Sequence, residues 1–298
     1  MPVKFKPFSI NLGGNLLDAD RPLVMGIINA TPDSFYAGSR TTAEADTESR
    51  TRRLIAEGAD ILDLGAYSSR PGADNVSAID EIHRLEKAMR AIRRVSHDIP
   101  VSVDTFRADV AEAAITHMGA DIINDISGGD LDSRMADTVA RLKVPYILMH
   151  MRGTPSTMQS LCDYPQGVAA GVVKELSAKV SRLALAGISD IILDPGFGFA
   201  KTLRQNYELL DALPHIMDIF KLPLLIGVSR KSMLTRLLGI SADEALEATS
   251  ALHLAALERG ASILRVHDVK AARQAVDIAG MLADPVNYQP FTNALQSC

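Results

Sequence analysis

The sequence predicts an α/β protein folded as one (β/α)8 barrel, also called a TIM barrel. Eight short apolar runs alternate with longer amphipathic segments along the 298 residues. The runs are continuously apolar, as expected for parallel strands that are covered on both faces. No G-x-G-x-x-G turn follows the first run, and the eight units use nearly the whole chain. Both observations favour a closed barrel over an open, doubly wound sheet.

The predicted strands are spread evenly along the chain. They are LVMGIIN (23–29), DILDLG (60–65), PVSVDT (100–105), DIINDI (121–126), PYILMH (145–150), DIILDPG (190–196), LPLLIG (222–227) and SILRVH (262–267). The segments between them have helical periodicity. After the second strand, for example, Ile79 and Ile82 fall on the predicted buried face and Glu81 on the exposed face.

Glycines mark the ends of four predicted helices. They occur just before the next strand, in EGADIL, MGADII, AGISDI and RGASIL. A glycine at this place suits the left-handed conformation that ends many helices.

No linker divides the chain, so we expect a single domain with short extensions. Residues 1–22, which include FSINLGGNLL, are predicted to form a hairpin that caps the bottom of the barrel. Residues 23–285 make up the predicted barrel. Residues 286–298 are predicted to be a loosely held tail.

The composition excludes several classes of protein. A net charge of −5 without basic stripes argues against a nucleic-acid partner. No apolar stretch approaches the length that spans a membrane, and the amino terminus does not resemble a signal peptide. Cys162 and Cys298 are too far apart for a disulfide framework or a zinc motif. We therefore expect a cytoplasmic protein without a membrane partner.

Polar residues collect at the carboxyl ends of the predicted strands. In a (β/α)8 barrel these ends open onto one face, where active sites lie. They carry Asn29, the GAYSSRPG segment (65–72), Asp104, Asn124, Asp125, His150, Asp194, Ser229 to Ser232, Arg265, His267 and Asp268. Carboxylates and amides thus lie in the middle of the barrel, and basic groups follow the second, seventh and eighth strands.

The acidic and amide side chains predict a site for a flat heterocycle. Buried Asp104, Asn124 and Asp194 need hydrogen-bond partners, and together they suit a ring that carries N–H and NH₂ donors. Lys231 would donate to a carbonyl or a nitrogen of the same ring.

The basic side chains predict a neighbouring anion site. Arg265 and His267 suit a phosphate or pyrophosphate, and the amide oxygen of Asn29 could hold a hard cation. Ser232 begins a predicted helix and could meet a second anion.

Taken singly, polar residues at strand ends more often cap helices or form structural ion pairs than bind ligands. Thr105 and the Asp33-Ser34 pair fit a capping role. Arg230 is predicted to form a structural ion pair, and His150 to be a hydrogen-bonded wall residue without a catalytic role. For Asp104 and Asp194 the alternative to ligand binding is a buried salt bridge to an arginine.

Eight motifs in chain order resemble dihydropteroate synthase, a family of folate biosynthesis. They are NATPDSF, SSRPG, SVDT, IND, LMHMRGTP, DPGFGF, GVSRKS and RVHDV, with about one at each strand end. The resemblance implies a (β/α)8 transferase, generally homodimeric and dependent on Mg²⁺. It implies two small-molecule substrates, 6-hydroxymethyl-7,8-dihydropterin pyrophosphate and p-aminobenzoate, and sensitivity to sulfonamides, which mimic p-aminobenzoate.

The resemblance also implies a role for each matching residue. The pterin would be bound by Asp104, Asn124, Asp194 and Lys231, with Ile126 and Met149 packing on it. The pyrophosphate would be bound by Asn29, Thr31, Arg265 and His267, with Asn29 as the ligand of Mg²⁺. The p-aminobenzoate pocket would contain Phe35, Ser69, Arg70, Pro71, Phe199 and Ser232. Lys231, Arg265, His267 and Asp104 would be catalytic in a dissociative substitution, in which pyrophosphate leaves before the amine attacks.

Two loops depart from the family pattern, and two other functions stay open. The second loop usually reads GGESTRPG, but here Tyr67 occupies the acidic position and Ser69 replaces Thr. The first loop usually reads SFxDGG, but here Ala37 occupies the place of the aspartate. The alternatives are a non-catalytic pterin-binding paralogue, which these changes would suit, and a pterin-dependent methyltransferase, which would lack the SSRPG and SRKS segments.

Overall fold

Eight parallel strands form a barrel ringed by helices in the computed structural model, which describes residues 5–30, 40–67 and 76–291. An antiparallel hairpin precedes the barrel. The strands are β1 (Phe8–Leu12), β2 (Asn15–Ala19), β3 (Leu23–Asn29), β4 (Ile61–Gly65), β5 (Val101–Asp104), β6 (Ile122–Asp125), β7 (Tyr146–Met149), β8 (Ile191–Asp194), β9 (Leu225–Ile226) and β10 (Ile263–Val266). The predicted fold class and all eight predicted barrel strands are confirmed.

The barrel closes between β8 and β9. The parallel strands follow the order β8-β7-β6-β5-β4-β3-β10-β9, and a parallel bridge between Leu193 and Leu224 joins the two ends. β9 is shorter than the predicted strand. Pro223, just before it, has no N–H to donate, although its carbonyl accepts a hydrogen bond from Leu193 N at 2.9 Å.

Helices follow each barrel strand. They are α1 (Arg40–Ala56), α2 (Ala78–Val95), α3 (Ala108–Met118), α4 (Met135–Leu142), α5 (Val168–Leu185), α6 (Leu203–Asp211), α7 (Leu213–Phe220), α8 (Ser232–Leu238), α9 (Leu246–Leu257) and α10 (Val269–Ala283). The predicted glycine stops are confirmed by the positive φ angles of Gly58 (97°), Gly119 (71°), Gly187 (89°) and Gly260 (92°).

The first turn of α2 contradicts the predicted amphipathic pattern. Ile79 is 67% exposed, whereas Glu81 is fully buried. The carboxylate of Glu81 accepts a hydrogen bond from Nη1 of Arg107, at the beginning of α3. The prediction for these two residues was wrong because a buried ion pair to another element, which periodicity cannot detect, fixes the orientation of this turn.

The hairpin β1–β2 closes the amino-terminal end of the barrel. Ile10 and Ala19 pack in one cluster with the lowest interior layer of the barrel, which includes Met25 and Ile61. Gly13 and Gly14 form the turn, with φ angles of 60° and 104°, as a type I′ turn requires. The predicted hairpin is confirmed, and it places the functional site at the opposite, carboxyl-terminal end.

The described part of the predicted tail packs against α10. The hydroxyl of Tyr288 donates to Oδ1 of Asp277 at 2.8 Å, and Phe291 N donates to the same oxygen at 3.2 Å. The ring of Phe291 lies 5.3 Å from the guanidinium of Arg273. Residues 287–291 thus have specific contacts on the side of the barrel, while the limits of the three predicted segments stay predictions.

Among the residues that the structure describes, none of the helices combines the length and the apolar character needed to cross a membrane.

Candidate active site

Interior side chains form an apolar layer below a polar one. Every second residue of a barrel strand points inward. The lower layer includes Ile61, Ile122, Ile147, Ile192 and Ile263. The inward residues two positions further along these strands are Asp63, Asn124, Met149, Asp194 and Arg265. One alternation therefore supplies both a packed floor and a polar mouth at the carboxyl-terminal end.

Arg265 connects three strands of the mouth. Its Nε donates to Oδ2 of Asp63 on β4 at 2.6 Å, and its Nη2 donates to Oδ2 of Asp104 on β5 at 2.8 Å. Asn124 on β6 donates from Nδ2 to both carboxylate oxygens of Asp63, at 3.3 Å each. This orientation leaves the amide oxygen of Asn124 as the acceptor that it can offer to a ligand.

Burial and charge pairing have opposite effects on the pKa values of Asp104 and Arg265. Burial raises the pKa of Asp104 above its usual range, although Arg265 acts in the other direction. Burial also disfavours the charge on Arg265, but the carboxylates of Asp63 and Asp104 more than offset it and raise the pKa of the guanidinium. Arg265 is therefore a permanent cation at the mouth.

Asp194 and Lys231 lie on the opposite side of the mouth. A side-chain atom added at Gly227 would lie 3.7 Å from Nζ of Lys231 and 4.0 Å from Oδ2 of Asp194, so both groups lie next to this glycine. Nζ of Lys231 donates to the carbonyl of Phe197 at 2.6 Å. Burial raises the pKa of Asp194 and lowers that of Lys231 to about 8. Both groups would gain from a ligand that pairs with their charges.

An apolar wall borders the polar groups. It comprises the buried Ile126, Met149, Met151, Met158 and Ala200, with the partly buried Phe106, Leu131 and Phe199 packed against them. Phe199 lies close to Lys231, whose Nζ is 4.9 Å from the centre of its ring. Such a wall beside carboxylate and amide acceptors suits a flat ring with polar edges.

The rim carries the residues predicted to meet an anion. Asn29 is exposed at the end of β3 and is paired in register with Gly65, which pairs in turn with Asp104. Nδ1 of His267 lies 3.1 Å from Oγ of Ser229, which follows β9. Ser232 is the exposed first residue of α8, directly after Lys231.

The donor set fits Mg²⁺ only as an ion shared with a substrate. Within residues 5–30, 40–67 and 76–291, no group of three His, Cys, Asp or Glu side chains could hold a metal ion. Asn29 supplies one amide oxygen at the rim. Mg²⁺ prefers oxygen ligands and commonly takes most of them from water and substrate phosphates.

A family model described as pterin binding enzyme matches residues 25–267, from β3 to the end of β10. The chain belongs to the pterin binding enzyme family. Dihydropteroate synthase from Synechocystis is 41% identical over 281 residues, which cover 93% of this chain and 96% of that protein. This pterin binding enzyme is thus a transferase of folate synthesis, of the dihydropteroate synthase type.

Solved structures support the same assignment. Xanthomonas albilineans dihydropteroate synthase with 4-aminobenzoic acid gives a TM-score of 0.85 at 36% identity, covering 94% of this chain and 99% of that chain. Yersinia pestis dihydropteroate synthase, in a complex with a sulfonamide drug, gives a TM-score of 0.83 at 36% identity, covering 91% and 98%.

Most of the predicted site residues of this pterin binding enzyme converge on the mouth. Asp104, Asn124, Asp194, Lys231 and Arg265 surround it, and Ile126, Met149 and Phe199 belong to the apolar wall. Asn29, His267 and Ser232 occupy the rim. Thr31, Phe35, Ser69, Arg70 and Pro71, together with Ala37, lie outside the described residues. Which residue contacts which ligand stays a prediction.

Asp63 is a residue that the sequence analysis missed. It is fully buried and accepts hydrogen bonds from both Arg265 and Asn124, so it orients two predicted ligand-binding side chains. A signal was present, because Asp63 interrupts the apolar residues of the run DILDLG, whereas Asp60 only precedes them. Asp63 lies in the middle of the predicted strand, whereas active-site residues of such barrels are expected at the strand ends.

Tyr67, at the acidic position of the family pattern, packs against the end of β5. Its ring meets that of Phe106 edge to face, with centres 5.2 Å apart. The guanidinium of Arg107 lies 5.4 Å from the Tyr67 ring and 4.8 Å from the Phe106 ring. An aromatic and cation–π contact therefore anchors this position without a carboxylate.

Two predicted structural roles are confirmed. Arg230 donates from Nε and Nη2 to the carboxylate of Asp268, at 2.7 and 3.0 Å. His150 is buried and has hydrogen-bond partners at both ring nitrogens. Asp125 accepts hydrogen bonds from the hydroxyls of Tyr146 and Ser127, at 2.7 Å each.

Proposed function

We propose that the chain condenses 6-hydroxymethyl-7,8-dihydropterin pyrophosphate with p-aminobenzoate, giving 7,8-dihydropteroate and pyrophosphate. The observation that carries this proposal is the meeting of Asp104, Asn124, Asp194, Lys231 and Arg265 around one barrel mouth. The 4-aminobenzoic acid in the Xanthomonas albilineans structure supports the second substrate.

The pterin would be bound by its polar edge. The carboxylates of Asp104 and Asp194 and the amide oxygen of Asn124 would accept from ring N–H and NH₂ groups, and Lys231 would donate to the ring carbonyl or a ring nitrogen. Ile126 and Met149 would cover the face of the ring. Asp63 would hold Asn124 and Arg265 in the orientation that this binding needs.

The substitution would be dissociative. The bond between the pterin methylene carbon and the pyrophosphate oxygen breaks first, with its electron pair leaving on the pyrophosphate. The amine nitrogen then bonds to the methylene cation and loses a proton. Arg265 and His267, with Asn29 and Thr31, would stabilise the negative charge that develops on the leaving group. Mg²⁺, held by Asn29 and phosphate oxygens, would supply further charge neutralisation.

The amine would enter an adjacent pocket. Phe35, Ser69, Arg70, Pro71, Phe199 and Ser232 would form it, with Ser232 at the carboxylate of p-aminobenzoate. Exclusion of water from this pocket would keep hydroxide from reaching the methylene cation. Because a sulfonamide drug is bound in the Yersinia pestis structure, we propose that sulfonamides compete for the same pocket.

A pyrophosphate-release assay tests the proposed function. With pterin pyrophosphate and Mg²⁺, release should depend on p-aminobenzoate, fall to background with a chelator, and be inhibited by a sulfonamide competitively with the amine. A non-catalytic paralogue would release none under any condition. Release at the same rate without the amine would contradict the proposed reaction.

We also propose a homodimer in the cytoplasm. α8 exposes Leu237 and Leu238, and α10 exposes Ile278, Met281 and Leu282, by 45–63% each. Such exposure of large apolar side chains on two helices suits burial against a second copy. Light scattering should give twice the chain mass of 32.0 kDa. The double variant Ile278→Glu/Leu282→Glu should be monomeric, and a monomeric wild type would contradict the proposal.

A further inference from the structure

The loop that follows β8 carries Phe199, and a second lysine, Lys201, donates hydrogen bonds to its backbone. We define residues 195–201 as the β8 loop. Lys231 contacts it from the side of the mouth, through the carbonyl of Phe197. Lys201 is only 3% exposed and lies at the end of the loop.

All three N–H donors of the Lys201 ammonium have acceptors. Nζ donates to the carbonyls of Gly196 at 2.9 Å and Phe199 at 3.0 Å, and to Nδ1 of His150 at 3.0 Å. An ammonium group has three donors and no acceptor, so this set saturates it. The Lys201 side chain thus connects the beginning of the loop to its end and connects both to His150, which follows β7.

His150 extends the connection to α5. Nε2 lies 3.0 Å from Oε2 of Glu175. Burial opposes the charge of this carboxylate, but hydrogen bonds from His150 and Arg152 lower its pKa to about 2, so it can only accept and Nε2 carries the ring proton. Nδ1 is then the acceptor for Lys201. Arg152 in turn donates from Nε to Oε1 of Glu175 at 3.0 Å. Burial lowers the pKa of His150 to about 4, so the ring is neutral. Through this one tautomer of His150, the ammonium of Lys201 is connected to Glu175 on α5.

The backbone of the β8 loop has a conformation that needs such support. A side-chain atom at Gly196 would lie 1.9 Å from the carbonyl oxygen of His150, so the loop touches β7 directly. Ala200 has a φ angle of 48°, in the left-handed region that a non-glycine residue adopts only at a cost in strain. The hydroxyl of Tyr164 also donates to the Ala200 carbonyl, at 3.1 Å. Several contacts therefore hold a strained loop in one shape.

The shape of this loop sets the position of Phe199. The carbonyl of Phe199 is bound by Lys201, while its ring packs on the apolar wall and lies 4.9 Å from Nζ of Lys231. Lys201 lies behind the loop, and its three acceptors all belong to the protein. We propose that Lys201 is a positioning residue for the amine substrate, because it fixes the loop that presents Phe199 to the amine pocket. This inference rests on the proposed function.

The variant Lys201→Met separates positioning from general stability. Losing these hydrogen bonds should raise the KM for p-aminobenzoate about 10-fold or more, with a change of less than about 3-fold for pterin pyrophosphate. Lys179→Met is the matched control, since Lys179 is also largely buried and donates to a loop carbonyl, that of Ser127, at 2.8 Å. It should leave the KM for p-aminobenzoate unchanged.

A double-mutant cycle tests whether Lys201 acts through Phe199. In a Phe199→Ala background, Lys201→Met should raise the KM for p-aminobenzoate no further, because the ring that it positions is absent. Should Lys201→Met fail to fold, Lys201→Gln keeps two N–H donors and should give the same pattern with a smaller rise.

The outcomes distinguish the two proposals. A wild type without amine-dependent pyrophosphate release overturns the proposed function and this inference together. An active wild type in which the Lys201 variants raise both KM values equally, or leave both unchanged, overturns the inference alone. Additive effects of Lys201→Met and Phe199→Ala also overturn it.

Discussion

Replacing Arg265 with methionine is expected to lower the free energy of unfolding by about 3–5 kcal/mol, because it removes the partner of the fully buried Asp63 and the partly buried Asp104. Arg265 donates to Asp63 at 2.6 Å and to Asp104 at 2.8 Å. Without the guanidinium, these two acids would share a poorly solvated barrel mouth, and the amide of Asn124 would still donate to Asp63. Condensation should fall to background, because the cation proposed to stabilise the leaving group is also lost. Denaturant unfolding and the pyrophosphate assay measure the two effects.

A second substitution separates the structural loss from the functional one. In Arg265→Met/Asp63→Asn, one of the two uncompensated charges is gone, so much of the stability should return. Activity should not return, because neither neutral side chain can stabilise the pyrophosphate. A single variant that keeps wild-type activity would refute the role proposed for Arg265. A double variant no more stable than the single one would refute the structural explanation.

The pH dependence of the Arg265→Met variant gives an independent check. Burial already raises the pKa of Asp104 above its ordinary value, and Arg265 is the main group that opposes this rise. Removing Arg265 therefore leaves a folded state that binds protons more tightly than the unfolded one. Stability should be highest at acidic pH and should decrease as pH rises from about 4 through the raised pKa. Stability that increases with pH over this range would contradict the assignment.

The positions of the strands were predictable because parallel barrel strands are buried on both faces. A run such as LVMGIIN has no polar residue before its last position, so its limits are visible in the sequence, and strand ends must meet at one face. This topological rule alone predicts that Asp104 and Asp194 lie at the same face of the barrel. It needs no knowledge of individual contacts.

Side-chain pairing was less predictable because it depends on distances between segments far apart in sequence. Arg265 and Asp63 are separated by 202 positions, and nothing local to either residue indicates their hydrogen bond. The same limit explains Glu81, which periodicity assigned to the surface and which Arg107 holds in the interior. For Asp104 the predicted alternatives, a ligand-binding carboxylate or a salt bridge to an arginine, are not exclusive. Its partner is itself a predicted site residue.

Replacing Lys231 with alanine is expected to weaken binding of pterin pyrophosphate by about 10- to 150-fold, which corresponds to a lost charged hydrogen bond of about 1.5–3 kcal/mol. Lys231 lies across Gly227 from Asp194, and its ammonium is the cation proposed to donate to the pterin ring. Its loss would also leave the buried Asp194 without its main opposing charge, so the pKa of Asp194 should rise further. Titration calorimetry with pterin pyrophosphate measures the affinity directly, without turnover.

The neighbouring Arg230 provides a matched control for this experiment. It is the adjacent cation, but its guanidinium pairs with Asp268 at 2.7 and 3.0 Å and not with the groups of the mouth. Arg230→Ala should therefore lower stability by about 1 kcal/mol and leave the affinity for pterin pyrophosphate unchanged. The substitution of Lys231 would then weaken the affinity, whereas that of the adjacent Arg230 would lower the stability and leave the affinity unchanged. If both variants weaken the binding of pterin pyrophosphate to the same extent, the loss comes from a general disturbance of the segment after β9. The hydrogen bond proposed between Lys231 and the pterin must then be abandoned.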